Sequence, residues 1–162
     1  MAAEMAQQPR TLQTLLARRE EIVGVVQCVL PDELAGITLV ARGSSDHAAI
    51  YGRYLLEMTA QRPAALVAPS IHTLYAADVD HTGYLAVAIS QSGRTPEIIT
   101  VLHRLREQGA RTVAIVNGAS TPLADVADVT IDLRVGPELA VPATKTFTGT
   151  LATLALVAEA VG

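Results

Sequence analysis

Five short apolar runs, each followed by a polar or helix-like segment, form the dominant pattern of this chain. The runs cover residues 37–41, 64–68, 85–89, 112–116 and 129–133. Short continuous apolar runs are typical of parallel strands that are covered on both faces. Their alternation with helical segments predicts an α/β fold, a three-layer αβα sandwich around a five-stranded parallel sheet. Right-handed crossovers favour a doubly wound, flavodoxin-like strand order of 2-1-3-4-5.

The first 32 residues differ from this alternating part and have a helical pattern. Their apolar side chains recur at the spacing of one helix face: Leu12, Leu15, Leu16, Ile22, Val25 and Val26. We divide the chain into an N-terminal helical arm, residues 1–32, and one α/β domain, residues 33–162. The arm is expected to pack across the domain or a partner subunit. A long last helix is predicted for residues 143–160.

The most informative stretch follows the third apolar run. A strand, a hydroxyl-rich turn and a helix starting at Pro96 follow one another there. The free N–H groups at the start of such a helix, and the positive end of its dipole, favour an anion. Hydroxyls add donors, and a glycine lets the backbone approach a ligand. The candidate phosphate-binding residues of this turn are Ser90, Gln91, Ser92, Gly93 and Thr95.

A second cluster, Gly43, Ser44 and Ser45, follows the first apolar run. In the order 2-1-3-4-5, strands one and three are neighbours at the point where the winding direction switches, and such sheets bind ligands there. Both clusters would then face one crevice, which predicts a site for a small phosphorylated molecule. The alternative for each serine or threonine is an ordinary helix N-cap, which needs no ligand.

Other ligand classes lack their patterns in this sequence. No G-x-G-x-x-G follows the first run, and neither G-x-x-x-x-G-K-[ST] nor G-x-S-x-G occurs. The four histidines have no metal-ligand spacing, so we predict no metal and no cofactor. His103 is expected on a solvated helix face, whereas His47 and His72 lie near the proposed crevice.

The amino-acid composition and the net charge limit the kinds of molecule that the protein is expected to bind. Half of the 162 residues are apolar and only 3% are aromatic, so Ala, Val, Leu and Ile must build the core. A net charge of −4 argues against a nucleic acid or an anionic membrane as the partner. No secretory leader or membrane span is apparent, which predicts a cytoplasmic protein. The single cysteine, Cys28, cannot form a disulfide within the chain and is expected in the core.

Four parts of the sequence carry a further likeness: E-M-A-Q-Q-P at 4–9, A-R-G-S-S at 41–45, S-Q-S-G-R-T at 90–95, and G-P-E at 136–138 with A-T-K-T-F-T at 143–148. Together they resemble the sugar isomerase (SIS) domain family over nearly the whole chain. The likeness is strongest to the first of the two SIS domains of glucosamine-6-phosphate synthase and its deaminase-like relatives.

The resemblance implies which residues hold the phosphate of a hexose phosphate: Ser90, Gln91, Ser92 and Thr95. It also places Ser44 and Ser45 against the substrate, and Val141 on the sugar side through its backbone. Two departures from the family pattern occur. Pro142 and Ala143 replace a common Ala-Ser pair, and Arg94 replaces a frequent Glu.

In the synthase family, the proton-transferring carboxylate, the ring-opening histidine and a C-terminal lysine lie beyond the first SIS domain. The resemblance therefore assigns no catalytic residue to this chain. Glu138 and Lys145 are either a substitute acid and base or solvated residues of a turn and a helix start.

We interpret the chain as the phosphosugar-binding first isomerase half of a synthase- or deaminase-like protein. It would act on fructose-6-phosphate or glucosamine-6-phosphate, without the glutaminase domain and the second SIS domain. Two alternatives stay open: a stand-alone oligomeric phosphosugar isomerase whose site a neighbour completes, and a non-catalytic phosphosugar sensor.

The last helix predicts self-association. It is apolar over more than one stripe, through Phe147, Leu151, Leu154, Leu156, Val157 and Val161. We expect a homodimer or a higher homo-oligomer. The alternative is that the N-terminal helices cover this surface.

Overall fold

The computed structural model describes residues 1–140 and 142–162, which form one parallel five-stranded sheet covered by helices. The strands are β1 (Gly36–Val40), β2 (Ala64–Leu66), β3 (Tyr84–Ile89), β4 (Arg111–Val116) and β5 (Val129–Asp132). They are ordered β2-β1-β3-β4-β5. Leu39, Val87 and Val113 lie side by side across the three central strands. The predicted fold class and strand order are confirmed.

The helices lie on both faces of the sheet. They are α1 (Ala2–Met5), α2 (Gln8–Ala17), α3 (Arg19–Gln27), α4 (Ser44–Ala60), α5 (Pro69–Thr73), α6 (Pro96–Glu107), α7 (Pro122–Val126) and α8 (Lys145–Val161). Successive side chains of a strand point to opposite faces. In β3, Leu85 and Val87 therefore join the core under α2, α3, α4 and α8. Ala86 and Ala88 join the second core, under α6 and α7.

The N-terminal arm belongs to the larger of these two cores. Leu15, Ile22 and Val26 are completely or almost completely buried, in the same cluster as side chains of β1, β3 and β5. The helices α2 and α3 pack against α8, and α3 also contacts β5. The arm thus packs across the domain. The division of the chain at residue 32 stays a prediction.

The cover of α8 differs from the prediction. Leu154, Leu156 and Val157 are buried, because α2, α3 and α4 all pack against this helix. The expectation of an uncovered apolar stripe on the last helix is therefore wrong, and the N-terminal helices supply the cover.

Two local expectations are also corrected. Cys28 is exposed rather than in the core, because it lies at the C-cap of α3, beyond Val26, the last buried residue of that helix. The last helix begins at Lys145, two residues later than predicted, since Thr144 takes the N-cap position.

No helix in the described part of the chain is both long enough and apolar enough to cross a bilayer. Among residues 1–140 and 142–162, no three His, Cys, Asp or Glu side chains come together in a way that could hold a metal ion.

Candidate functional site

The hydroxyl-rich turn follows β3 directly and is held by hydrogen bonds within the turn and to the end of β4. Ser90 is buried, and its Oγ accepts the N–H of Gly93 at 3.2 Å and lies 3.4 Å from Thr95 Oγ1. The N–H of Asn117, after β4, donates to the carbonyl oxygen of Gln91 at 3.0 Å. The turn is therefore fixed both by its own side chains and by the neighbouring strand end.

Gly93 contacts Thr121, the residue before α7. Its φ is +61°, and a Cβ at this position would lie 2.5 Å from the Cβ of Thr121. The carbonyl oxygen of Gly93 accepts the N–H of Leu123 at 3.0 Å. A glycine is thus required here by packing against α7, a reason that the sequence pattern did not contain.

The start of α6 offers donors that the protein does not use. Thr95 is the N-cap, but its side chain accepts no capping hydrogen bond. Among the described residues, no protein group accepts the N–H of Glu97 or Ile98. Ordinary capping therefore does not account for this threonine. The two N–H groups and the helix dipole favour an anion at this position.

The second cluster lies at the start of another helix. Gly43 is the N-cap of α4, with φ of +65°, and Ser44 and Ser45 are its first helical residues. No side-chain hydrogen bond caps this helix either. Because β1 and β3 are neighbours, the N-termini of α4 and α6 both lie at the carboxyl edge of the sheet. The predicted adjacency of the two parent strands is confirmed.

An ion pair joins the loop after β1 to the first turn of α6. Arg42 Nε donates to Glu97 Oε2 at 2.6 Å, and Nη2 donates to Oε1 at 3.0 Å. The hydrogen bond from Arg42 is the main reason why the pKa of Glu97 lies below its ordinary value of 4.5. The sequence pattern shows Glu97 only as a part of the α6 segment. Opposite charges on two loops that were expected to converge are the signal that could have paired these residues.

A third segment, between β5 and α8, is ordered by Glu138. Its carboxylate accepts the N–H of Thr144 at 2.8 Å and that of Lys145 at 2.9 Å. It also accepts the hydroxyls of Thr144 and Thr146. Burial raises the pKa of Glu138, but these hydrogen bonds outweigh burial and hold the pKa below 4.5. Glu138 therefore caps α8 as a carboxylate.

The N-terminal residues hold the same segment from the other side. Glu4 accepts the N–H of Leu139 at 2.5 Å and that of Ala140 at 3.3 Å. Lys145 is only 3% exposed, and its Nζ donates to Gln7 Oε1 at 2.7 Å. The sequence offered the alternative that Glu138 and Lys145 are solvated residues. For Lys145 this alternative is wrong, because its side chain is buried. These contacts across the length of the chain give the 4–9 motif a structural role that sequence reasoning missed.

The remaining candidates divide by exposure. Ser44, Gln91 and Ser92 are exposed, and Ser45 and Thr95 are half-buried. His103 lies on an exposed face of α6, as predicted, and His47 is exposed in α4. His72 is buried, and its Nδ1 has no hydrogen-bond partner among the described residues. Val141 lies outside the described residues.

The chain has a doubly wound parallel sheet, with the N-termini of α4 and α6 and several hydroxyls at its switch point. In α/β proteins of this class, the switch point at the carboxyl ends of the strands is where ligands generally bind. Residues 35–160 match the model of the family described as "SIS domain". The chain belongs to this family.

Individual relatives agree with the family. Over 98% of its length the chain is 34% identical to a glutamine–fructose-6-phosphate aminotransferase [isomerizing] of Thermus thermophilus. A crystal structure from Silicibacter pomeroyi, named "putative phosphosugar isomerase", has a TM-score of 0.87 and 38% identity over 98% of this chain and 49% of that one. The C-terminal domain of the Francisella tularensis glucosamine-fructose-6-phosphate aminotransferase has a TM-score of 0.76 and 26% identity, covering 99% of this chain and 47% of that one.

The chain spans only a part of these relatives, 27% of the length of the Thermus protein and about half of the two solved chains. It is an SIS domain related to the corresponding part of the aminotransferases.

Proposed function

We propose that this chain binds the phosphate group of a hexose phosphate in the crevice between the turns at 43–45 and 90–95. The observation that carries the proposal is the start of α6, where two unused N–H groups and the Thr95 hydroxyl come together without a capping interaction. A phosphate monoester matches this donor set, because it brings charge to the helix dipole and several acceptor oxygens to the hydroxyls.

The proposed ligand-binding residues are those of the two turns. Backbone N–H groups would come from Gly43 and the helix starts, and Gly93, whose own N–H is bonded to Ser90, would let the backbone come close to the ligand. Val141, proposed to contact the sugar through its backbone, lies outside the described residues. Side chains would come from Ser44, Ser45, Ser90, Gln91, Ser92 and Thr95. The name of the Thermus relative makes fructose-6-phosphate the first ligand to test. Glucosamine-6-phosphate, the other ligand expected from the sequence, is the second.

We also propose that the chain binds this ligand without converting it. Within the described residues, the two charged side chains considered for acid–base chemistry are both engaged in the structure. Glu138 accepts four hydrogen bonds at the start of α8, and Lys145 donates to Gln7.

Ser92 is the sharpest position for a test of binding, because its side chain is exposed and its loss leaves the buried Ser90 bonds in place. Each charge-assisted hydrogen bond to a phosphate contributes about 1.5–3 kcal/mol, so Ser92→Ala should weaken binding roughly 10- to 100-fold. Titration calorimetry with fructose-6-phosphate measures the effect. Ser120→Ala, which removes an exposed hydroxyl outside the two turns, is the matched control. Equal affinity of Ser92→Ala and the unsubstituted protein would contradict the phosphate role.

An exposed apolar surface supports the oligomeric alternative, although the last helix does not. Ile50, Tyr54 and Met58 are four residues apart on α4, and Tyr54 and Met58 are 60% and 66% exposed. Exposed apolar stripes of this kind are typical of association surfaces. We propose that a second copy of the chain covers this face, and that the chain forms a homodimer.

One pair of measurements separates the alternatives. Sedimentation of the unsubstituted protein and of Tyr54→Glu should show a dimer that the substitution breaks. Exchange of the C2 proton of fructose-6-phosphate in heavy water, followed by NMR, then reports isomerase chemistry. Exchange that requires the dimer would favour the stand-alone enzyme, and assembly that depends on ligand without exchange would favour a sensor.

A further inference from the structure

The Arg42–Glu97 ion pair stands beside the proposed phosphate site. Arg42 directly precedes Gly43, the N-cap of α4, and Glu97 is the second residue of α6, two positions after Thr95. The guanidinium donates two hydrogen bonds to the carboxylate. The side chains are 46% and 37% exposed, so solvent reaches the pair.

Glu97 already interacts with the two features that a phosphate would need, the guanidinium of Arg42 and the start of α6. Its carboxylate lies on the first turn of α6, where the helix dipole favours negative charge. It also takes up the planar fork of N–H donors of Arg42, a geometry that fits a phosphate as well as a carboxylate. A bound phosphate and Glu97 would therefore compete for the same guanidinium and the same helix end.

An exposed ion pair is easily exchanged, because solvent and salt weaken the attraction between its members. A phosphate dianion carries more charge than a carboxylate and offers more acceptor oxygens. Two further charged residues lie near Arg42. Asp46, on the first turn of α4, is a further negative group that acts on Arg42, and Arg94 lies exposed in the 90–95 turn.

We propose that Arg42 is a further phosphate-binding residue, and that the phosphate of the ligand displaces Glu97 from its guanidinium. The inference rests on the proposed function, because it assumes that a phosphate binds at the start of α6. In the free protein, Glu97 holds Arg42 in place between the two loops. In the complex, Arg42 contacts the ligand and Glu97 turns to solvent.

The alternative is that the pair only braces the two loops. The two accounts differ in what the loss of Glu97 does. If the ion pair only holds the two turns together, substituting either partner removes the same interaction. Arg42→Ala and Glu97→Gln would then weaken binding to a similar extent. An exchange predicts opposite effects, because Glu97→Gln removes the competitor and Arg42→Ala removes the ligand contact.

The test is titration calorimetry with fructose-6-phosphate and with inorganic phosphate, at fixed ionic strength, on Arg42→Ala, Arg42→Lys, Glu97→Gln and the double variant. We expect Arg42→Ala to bind about 10-fold or more weakly, and Arg42→Lys to recover part of this loss. Glu97→Gln should bind roughly 3- to 10-fold more tightly. The double variant should bind like Arg42→Ala.

Two controls make the outcome specific. Arg19→Ala breaks another exposed ion pair, with Glu159, on the far helices α3 and α8, and should leave the affinity within about 2-fold. Thermal unfolding should be affected alike by Arg42→Ala and Glu97→Gln, since both break the same pair, although their affinities move in opposite directions.

Weaker binding by Glu97→Gln would overturn the exchange. Normal affinity of Arg42→Ala beside a weakened Ser92→Ala would overturn the role of Arg42 and leave the proposed function standing. If the unsubstituted protein binds neither probe, both the proposed function and this inference fail.

Discussion

Gly93 packs its α-carbon against Thr121 while its backbone adopts a positive φ. A sequence pattern shows that a glycine stands in a turn, and it suggested here that a ligand comes close. The pattern does not show which residue of a later loop the glycine meets, because that contact depends on how β3 and β4 are placed side by side. The same limit applies to Arg42 and Glu97, whose pairing depends on the approach of two separate loops.

Gly93→Ala tests this packing. The added Cβ would clash with Thr121 and would also be held at a positive φ, so we expect a loss of about 1–3 kcal/mol in the free energy of unfolding. Urea unfolding measures the change. Gly24→Ala in α3, where a Cβ meets nothing within 4 Å, is the matched control and should stabilise the protein by up to about 1 kcal/mol. A neutral Gly93→Ala would show that the turn can move away from α7.

Most secondary-structure elements were predictable, because their patterns are local. The apolar runs predicted all five strands, and Pro96 marked the start of α6 correctly. The start of α8 was placed too early. Its position depends on Glu138 in the preceding turn, whose carboxylate accepts hydrogen bonds from the start of the helix. The helix propensities of individual residues carry no information about such a contact.

Glu138→Gln tests the cap of α8. A neutral amide accepts hydrogen bonds less strongly than a carboxylate, so we expect a loss of about 1–2 kcal/mol in unfolding free energy at neutral pH. The pKa of Glu138 lies below 4.5 in the folded state, so its contribution is present above that pH and is lost as the pH falls below it. Glu20→Gln, at an exposed position on the first turn of α3, should cost less. Identical acid unfolding curves for Glu138→Gln and the unsubstituted protein would contradict the assignment.

For the whole molecule, alternation of strand and helix was enough to predict the architecture and the order of the sheet. It was not enough to predict which surfaces stay open. The apolar last helix is covered by α2, α3 and α4, and many of the exposed apolar side chains lie instead on α4 and around α5. Which helix covers which is decided by tertiary packing, and an apolar stripe has the same pattern whether its cover comes from the same chain or from another.

The buried His72 predicts how the stability of the whole fold responds to acid. Burial is the main cause that lowers its pKa below the ordinary 6.5, and the nearby charges of His81 and Arg104 act in the same direction. At a pH near 6.5 the unfolded chain therefore binds a proton at His72 more readily than the folded protein does. The free energy of unfolding falls as the pH falls below 6.5.

Urea unfolding between pH 7.5 and 5.5 measures this slope, which for one proton is at most about 1.4 kcal/mol per pH unit. His72→Gln keeps a polar side chain that does not titrate, so it should flatten the slope. His103→Gln, which changes an exposed histidine of α6, is the matched control. A slope that persists in His72→Gln would assign it to other groups.

The packing of the first helices on the last one has a consequence for synthesis on the ribosome. The helices α2 and α3 precede all five strands in the chain, whereas α8, which packs against both of them, follows the strands. Leu15, Ile22 and Val26 therefore lack part of their cover until α8 has left the exit tunnel. During this interval the nascent chain exposes an apolar surface, to which chaperones can bind and through which chains can aggregate.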